Sequence, residues 1–324
     1  MNDKIIAIAG PTASGKSALA LELCKRLNGE LVSFDSMQIY RGLDIGTAKP
    51  SKAEQAEVRH HLIDICDPSE SFSAADFAKC AHEAIADIRS RGKRAVLCGG
   101  TGLYLDSVLG RLDFGEMESD DKLREGLFRF AEENGVDALH ERLREIDPSA
   151  AETIHKNNVR RVVRAIEIYL LTGKTKTEHD RLAISNSPYD SVIIALDYAD
   201  REILYSRINS RVDAMISAGL ENEVRELYAS GCLYPDTTAG QAIGYKEMLD
   251  YIRGIDTLEA AVEKIKLGTR RYAKRQLTWL RRNKSVNWLY PDKLGDFESI
   301  VGAAAKHIKE YRRRKRWTAQ KSVM

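Results

Sequence analysis

The sequence predicts an α/β fold, in which a parallel β-sheet core covered by helices is interrupted by a helical insertion domain. The sheet is predicted because short apolar runs alternate with amphipathic helical segments over residues 1–112, a pattern typical of parallel strands with helices on both faces. The insertion is predicted because roughly seventy residues after Leu112 have helical periodicity and no convincing strand. An apolar strand from Val192 to Leu196 then indicates that the chain returns to the sheet.

Each element of the first half follows from a local signal. Lys4 to Ala9 is an apolar run of strand length, and Ser17 to Leu27 has leucines at helical spacing. Ser73, with Asp76 three residues later, predicts a helix start because both side chains can cap backbone N–H groups. The predicted elements are strands at 4–9, 30–34, 61–65 and 94–98, helices at 17–27, 73–91 and 103–109, and a polar loop at 35–50.

The second half is predicted to be helical after one returning strand. Helices are expected at 201–218, 220–230 and 258–282, with a turn around Tyr234-Pro235. The predicted domains are a catalytic core of residues 1–112 and 186–324, ending in basic helices, and a helical insertion of residues 113–185. Because ligands of open α/β sheets bind beyond the carboxyl ends of the strands, we expect the reaction site in the core.

The composition is that of a soluble globular protein. The 324 residues include 50 Lys and Arg, 48 Asp and Glu and 43% hydrophobic residues, and no apolar segment approaches the ~20 residues of a membrane span. The five cysteines lack C-x-x-C spacing, which argues against a disulfide framework or a zinc site. We therefore expect a cytoplasmic protein without a membrane partner. We also expect it to be a monomer. The net charge of +2 is compatible with single-sign patches that cancel in the sum.

A turn between the first strand and the first helix has the phosphate-loop pattern G-x-x-x-x-G-K-[ST]. Its residues are Gly10, Pro11, Thr12, Ala13, Ser14, Gly15, Lys16 and Ser17. Backbone N–H groups of such a loop surround phosphate oxygens, the lysine neutralises their charge, and the serine hydroxyl is a hard oxygen ligand for Mg²⁺. Because the pattern follows a predicted strand and opens a predicted helix, it predicts a P-loop kinase-like core with Ser17 as the metal ligand.

The residues around this loop favour group transfer over nucleotide hydrolysis. An NTP hydrolase usually places an Asp at the end of a later strand to hold magnesium, whereas the strand at 94–98 is followed by Gly99-Gly100-Thr101-Gly102. Asp35 ends a neighbouring strand, so Asp35 and Thr101 should converge near the loop. A carboxylate beside a bound diphosphate can accept a proton from an acceptor substrate. The alternative role for Asp35 is a turn or helix cap.

The segment from Lys264 to Lys284 predicts a nucleic-acid surface, because it contains nine basic residues and no acid. A solvated charged face is the ordinary alternative. On a helix, two trios of cations each share one face: Arg270, Lys274 and Arg281, and Arg271, Arg275 and Arg282. An apolar seam formed by Ile265, Tyr272 and Trp279 is expected to be core. A second basic run at 312–316 is interpreted as a tail that adds nonspecific RNA affinity.

Seven segments of the sequence match one family in order. They are Gly10 to Ser17, Asp35 to Pro50, His60 to Asp64, Gly99 to Tyr104, Asn158 to Arg161, Ile243 to Glu247 and Thr269 to Trp279. The phosphate loop is shared by many enzymes, but the segments at 35–50 and 269–279 are highly specific. The chain therefore resembles the tRNA dimethylallyltransferases, also called tRNA isopentenyltransferases, of the bacterial type.

This resemblance implies a reaction and its residues. The family transfers a dimethylallyl group from dimethylallyl diphosphate to N6 of the adenosine 3′-adjacent to the anticodon of tRNA, with Mg²⁺ as cofactor and release of pyrophosphate. Asp35 would be the general base, Thr101 would position the adenine, and Arg211 would stabilise the diphosphate. The residues implied to contact tRNA are Asp35, Ser36, Met37, Gln38, Thr101, Arg124, Asn158, Val159, Arg160, Arg161, Gly244, Tyr245, Lys246, Arg270, Arg271, Lys274 and Arg275. From the residues alone, Arg211 could equally be a surface cation.

The implied partners are the tRNA anticodon stem-loop and dimethylallyl diphosphate. An adenine stacked in that loop must be extruded before its amine can reach a buried carboxylate. Three alternatives remain on sequence grounds. A small-molecule kinase would not need the acid-free segment, an adenine-nucleotide prenyltransferase would share the chemistry without RNA, and a noncatalytic RNA-binding module would not need Lys16 in a phosphate loop.

Overall fold

A computed structural model describes residues 4–110, 120–184 and 188–321, without the side chains at 183–184 and 312–321. The predicted insertion boundaries, at residues 112–113 and 185–186, fall at or within the gaps, and the side chains of the basic run at 312–316 lie outside the described part of the chain. The chain divides into two compact units, Met1–Leu105 with Tyr189–Met324, and Asp106–Pro188. None of the described helices is both long enough and apolar enough to cross a membrane.

One six-stranded, all-parallel sheet forms the centre of the first unit. Its strands are β1 (Lys4–Ala9), β2 (Gly29–Ser33), β3 (His60–His61), β4 (Arg94–Gly99), β5 (Asp190–Leu196) and β6 (Val286–Leu289). Their spatial order is β3-β2-β4-β1-β5-β6, and every neighbouring pair is parallel. The predicted α/β class with a parallel sheet is confirmed. The expectation that only helices follow β5 is wrong, because β6 adds an edge strand.

Fourteen helices accompany the sheet in the described residues. They are α1 (Lys16–Leu27), α2 (Lys52–Glu57), α3 (Ala74–Ser90), α4 (Gly102–Val108), α5 (Asp121–Ile146), α6 (Pro148–Thr153), α7 (Val159–Thr172), α8 (Lys176–Ile184), α9 (Arg201–Ser217), α10 (Leu220–Ala229), α11 (Tyr245–Ile252), α12 (Leu258–Arg281), α13 (Pro291–Leu294) and α14 (Phe297–Lys321). The predicted start of α3 is confirmed, because Ser73 and Asp76 form a reciprocal capping box.

Two apolar clusters hold the first unit together. One joins the sheet to α1 and α14 through buried residues such as Ile8, Leu23 and Val301. The other packs the loop after β2 against α9 to α12, and its members include Tyr40 and Leu220. Burying one large apolar side chain contributes roughly 1.5–3 kcal/mol to the stability of the fold. The long polar loop at 35–50 is therefore anchored by its buried residues Ile39, Tyr40 and Leu43.

The second unit is helical and has its own core. Residues Leu139, Leu143, Val162 and Ile166 are fully buried between α5 and α7. Glu167 is also fully buried, and a carboxylate there requires paired cations. Arg124 and Arg164 provide them, with N–O distances of 2.8 and 2.7 Å.

Candidate active site

The phosphate loop leaves β1 and enters α1 in a tightly turned conformation. Ala13 and Gly15 have φ values of 62° and 92°, and left-handed residues of this kind turn successive backbone N–H groups toward a common centre. The Lys16 ammonium group donates to the Pro11 carbonyl at 3.2 Å. Arg207 on α9 donates from Nε to the Ala13 carbonyl at 2.9 Å. The loop is therefore fixed from within and from α9.

A cavity of ≈ 290 Å³ lies beyond the carboxyl ends of β1, β2 and β4. Eleven residues predicted for the site line it: Thr12, Lys16, Ser17, Asp35, Ser36, Met37, Gln38, Arg211, Gly244, Tyr245 and Arg275. One wall is apolar and includes Ile208, Val212, Met215, Ile243 and Ile265. The structure thus brings cations, a carboxylate and an apolar surface to one place.

Thr101 is hydrogen-bonded to the backbone of the two residues that flank Asp35. Asp35 Oδ1 accepts a hydrogen bond from Met37 N at 2.9 Å, so Asp35 also forms the turn that was its alternative role. Thr101 Oγ1 accepts from Ser36 N at 3.1 Å, and Thr101 N donates to the Phe34 carbonyl at 3.3 Å. These bonds tie the end of β4 to the end of β2 and hold the half-buried Asp35 carboxylate at the cavity.

Two cations of the cavity, Lys16 and Arg211, are held in an environment that disfavours their charge. Burial lowers the pKa of Lys16, and the positive charge of Arg211 lowers it further. Cys98 and Asp35 act in the opposite direction and raise this pKa. Burial likewise lowers the pKa of Arg211, and Asp35 again opposes the shift. An anion bound between them would relieve this cost, because an opposite charge nearby favours the charged form.

The oxygen atoms of the cavity suit a hard cation carried by a phosphate ligand. Within the described ranges, no group of three or more His, Cys, Asp or Glu side chains is arranged to hold a metal ion. Mg²⁺ usually keeps several waters and takes substrate phosphate oxygens in addition to few protein ligands. The Ser17 hydroxyl lines the cavity beside Cys98. One serine oxygen therefore fits Mg²⁺ that arrives with a diphosphate.

Two residues implied to contact RNA are engaged inside the protein. Gln38 accepts from Ser33 Oγ at 3.0 Å, and its amide nitrogen lies 3.2 Å from the carbonyls of Thr47 and Ala48. Tyr245 is fully buried, and its hydroxyl donates to Glu223 at 2.6 Å. Both side chains stabilise the walls of the cavity. Gly244 is buried before α11, whereas Lys246 is exposed.

The acid-free segment is only partly a free basic surface. Acids from other elements pair with three of its cations: Lys264 with Asp256, Lys266 with Asp213 at 2.8 Å and Arg281 with Asp197 at 2.8 Å. Arg270 donates to Asn209 at 2.7 Å. The exposed cations of α12 without an ion pair in the described part of the chain are Arg271, Lys274 and Arg275. The interpretation of the whole run as unbalanced charge is therefore wrong for its paired members.

In the helical unit, three predicted RNA contacts are exposed and two are engaged. Asn158, Arg160 and Arg161 are exposed at the start of α7. Val159 is half-buried against the core of the unit. Arg124 Nε lies 2.8 Å from the Glu167 carboxylate, so this guanidinium neutralises a buried charge.

Sequence reasoning missed two residues that line the cavity and one that holds a loop beside it. Tyr272, expected in the core, is half-buried and lines the cavity, where burial and Asp35 raise its pKa to about 12. Gln276 hydrogen-bonds the phosphate loop, and Glu223 holds the loop after β2. The available signal for Gln276 was an uncharged amide among the cations of residues 264–284, a signal that it shares with Asn283.

A family model and several known proteins are similar to this chain. A family model described as IPP transferase matches residues 38–283. A tRNA dimethylallyltransferase of Halalkalibacterium halodurans is 52% identical over 89% of this chain and 91% of its own. A crystal structure of the tRNA isopentenylpyrophosphate transferase of Bacillus halodurans superposes with a TM-score of 0.71 at 46% identity, covering 97% of this chain and 100% of the other. A eukaryotic dimethylallyltransferase acting on tRNA superposes with a TM-score of 0.72 at 32% identity, covering 86% of this chain and 70% of the other.

Proposed function

The chain belongs to the IPP transferase family, and from this premise we propose that it transfers a dimethylallyl group from dimethylallyl diphosphate to tRNA. The acceptor is N6 of the adenosine 3′-adjacent to the anticodon, and pyrophosphate is released. One observation carries the proposal: Lys16, Arg211 and Asp35 line a single cavity that has an apolar wall. That cavity offers cations for a diphosphate, a carboxylate for a proton and an apolar surface for the prenyl group.

The diphosphate binds in the phosphate loop. As the allylic C–O bond breaks, its electron pair stays on the ester oxygen, which leaves as part of pyrophosphate, and Lys16 and Arg211 stabilise the developing negative charge. These interactions are stronger in a cavity of low dielectric constant than in water. The Ser17 hydroxyl would hold Mg²⁺, which supplies further positive charge to the diphosphate oxygens when bound.

Asp35 accepts the proton that the acceptor amine loses. N6 forms a bond to the allylic carbon and must release one proton, and a carboxylate within hydrogen-bond reach can take it. Asp35 Oδ1 is held by Met37 N, which leaves Oδ2 for the amine. Thr101, fixed against Ser36, positions the adenine beside this oxygen.

The adenosine reaches Asp35 only after it leaves the stacked anticodon loop. Extrusion costs a few kcal/mol, and contacts to the RNA backbone offset this cost. In the first unit, Arg271, Lys274 and Arg275 supply exposed cations on α12. In the proposed insertion domain, residues 113–185, the exposed Arg160 and Arg161 supply further cations, and the exposed Asn158 supplies a neutral amide donor.

Label transfer tests this function against its nearest rival, an adenine-nucleotide prenyltransferase. The protein is incubated with Mg²⁺ and labelled dimethylallyl diphosphate, and with either unmodified tRNA or AMP. We expect label in the tRNA, and Lys16→Met as the control should remove it because the diphosphate loses a cation. Label on AMP alone, or on neither acceptor, contradicts the proposal.

We also propose that the protein acts as a cytoplasmic monomer. The first unit supplies every residue that lines the cavity, so one chain suffices for the chemistry. Sedimentation equilibrium with and without tRNA measures the oligomeric state directly. A dimer at assay concentrations would contradict it.

A further inference from the structure

Gln276 is a buried amide that bridges two loops of the site. It lies on α12, and only 5% of its surface is exposed. Its Oε1 accepts a hydrogen bond from Thr12 N at 3.0 Å, in the phosphate loop. Its Nε2 donates to the Gly100 carbonyl at 3.0 Å, in the turn after β4. The chemistry proposed above makes no use of this side chain.

The turn after β4 is shaped to receive α12. A Cβ atom at Gly100 would overlap Gln276 Nε2, and one at Gly102 would overlap the Trp279 ring. Glycine at these two positions therefore allows the backbone to approach the helix more closely than any other residue would. The amide of Gln276 is consequently held between two backbone segments, where its oxygen accepts one hydrogen bond and its nitrogen donates another.

The bridged segments belong to different halves of the reaction. Thr12 lies in the loop that would hold the diphosphate, whereas Gly100 precedes Thr101, which is tied to Ser36 and so to the Asp35 turn. Transfer requires the reacting atoms to approach to roughly 3–3.5 Å, and a misplacement of about 1 Å can cost on the order of 100-fold in rate. The distance between the two segments must therefore be fixed.

We propose that Gln276 is a positioning residue that fixes the diphosphate loop relative to the acceptor-binding turn. The expected effect on transfer to the acceptor rests on the proposed function, whereas the expected effect on the phosphate loop and on diphosphate binding does not. Loss of the amide leaves Thr12 N without its acceptor and frees the phosphate loop from α12. Diphosphate affinity and transfer rate should then fall, while the exposed cations of α12 keep their contact with RNA.

The first test compares Gln276→Leu with Leu280→Ala. Leu280 is buried on the same helix and carries no polar group, so its truncation reports lost packing alone. For Gln276→Leu, titration calorimetry with Mg²⁺ and inorganic pyrophosphate should give a Kd roughly 10-fold weaker, as for an unpaired buried donor. Turnover with tRNA should fall about 10- to 100-fold, with the Kd for tRNA changed less than about twofold.

The control decides whether the effect is merely structural. Leu280→Ala should lower the Tm at least as much as Gln276→Leu and leave pyrophosphate affinity and kcat within about twofold of the wild type. Equal losses in the two variants at equal Tm would overturn the positioning role. Unchanged pyrophosphate affinity and kcat in Gln276→Leu would overturn it as well.

A double-mutant cycle gives a second test that does not depend on Gln276→Leu folding. Gly100→Ala pushes the Gln276 amide out of place and should weaken pyrophosphate binding. In the Gln276→Ala background the space is free, so the same glycine change should cost much less. Additive effects would overturn the proposal. Because pyrophosphate binding needs neither tRNA nor a prenyl donor, a wild-type protein inactive in transfer would contradict the proposed function and leave this test valid.

Discussion

Glu223 holds the loop after β2 through four hydrogen bonds, and replacing it with glutamine should loosen that loop. Its carboxylate accepts from the backbone N–H groups of Asp44, Ile45 and Gly46 at 3.1, 2.7 and 3.3 Å. The hydroxyl of buried Tyr245 donates to it at 2.6 Å. A glutamine has a single acceptor oxygen with two lone pairs, so at least two of the four donors lose their partner.

The magnitude follows from which donors water can replace. The N–H of Asp44 is exposed, whereas Tyr245 is fully buried and the N–H groups of Ile45 and Gly46 are partly buried. An unpaired buried donor costs about 1–3 kcal/mol, and a bond to a charged group exceeds a neutral one. We therefore expect Glu223→Gln to lower the free energy of unfolding, or of local opening, by about 2–4 kcal/mol.

Hydrogen exchange of the Ile45 and Gly46 amides, together with urea unfolding, measures this loss. Exchange through local opening should accelerate about 10-fold for each 1.4 kcal/mol of lost local stability. Glu226→Gln is the matched control, since Glu226 is exposed on the same helix and its replacement should change stability by less than about 0.5 kcal/mol. Tyr245→Phe removes one of the four donors and should cost about 1 kcal/mol. Exchange rates in Glu223→Gln no faster than in Glu226→Gln would refute the reasoning.

Three further predictions concern the chemistry and the RNA surface. Asp35→Ala should abolish transfer and leave the Kd for tRNA nearly unchanged in filter binding, and surviving transfer would exclude the general-base role. Because burial lowers the pKa of Lys16 in the free protein, a bound diphosphate should raise it again, so binding should take up protons at pH values between the lowered and the restored pKa. Calorimetry in buffers of different ionisation enthalpy should show that Lys16→Met takes up fewer protons than the wild type when the diphosphate binds. Equal proton uptake in the two proteins would mean that Lys16 does not contact the diphosphate. Arg275→Ala should make the log-log salt dependence of tRNA binding shallower by about 0.9, as for one lost phosphate contact. The same change at exposed Arg253, in the turn after α11, should leave the salt dependence unchanged.

The sequence predicted the elements whose signal is local. The capping box of Ser73 and Asp76 starts α3 as expected, and the strand before the phosphate loop has the predicted bounds, Lys4–Ala9. Strand β6 was missed because Val286–Leu289 is only four residues long and three of them are half-buried. Its strand conformation depends on parallel pairing with β5, which is a tertiary interaction that no short apolar pattern reveals.

The residues of the site divide in the same way: those with a local sequence signal were predicted, and those placed by tertiary packing were not. The carboxyl-end rule for parallel strands was enough to bring Asp35 and Thr101 together, because each lies two residues beyond the end of a strand. Gln276 lies 264 residues from Thr12 and 176 from Gly100, and only the packing of α12 brings them into contact. The charge of residues 264–284 was also misjudged for Lys266 and Arg281, since their acids come from distant elements.

Mapping the modified nucleotide tests the central claim most directly. Unmodified tRNA is treated with the protein, Mg²⁺ and dimethylallyl diphosphate, and the RNA is then digested and analysed by mass spectrometry. The proposed function predicts one dimethylallyl group, on N6 of the adenosine 3′-adjacent to the anticodon. A prenyl group on another nucleotide, or tRNA that remains unmodified, would contradict the account.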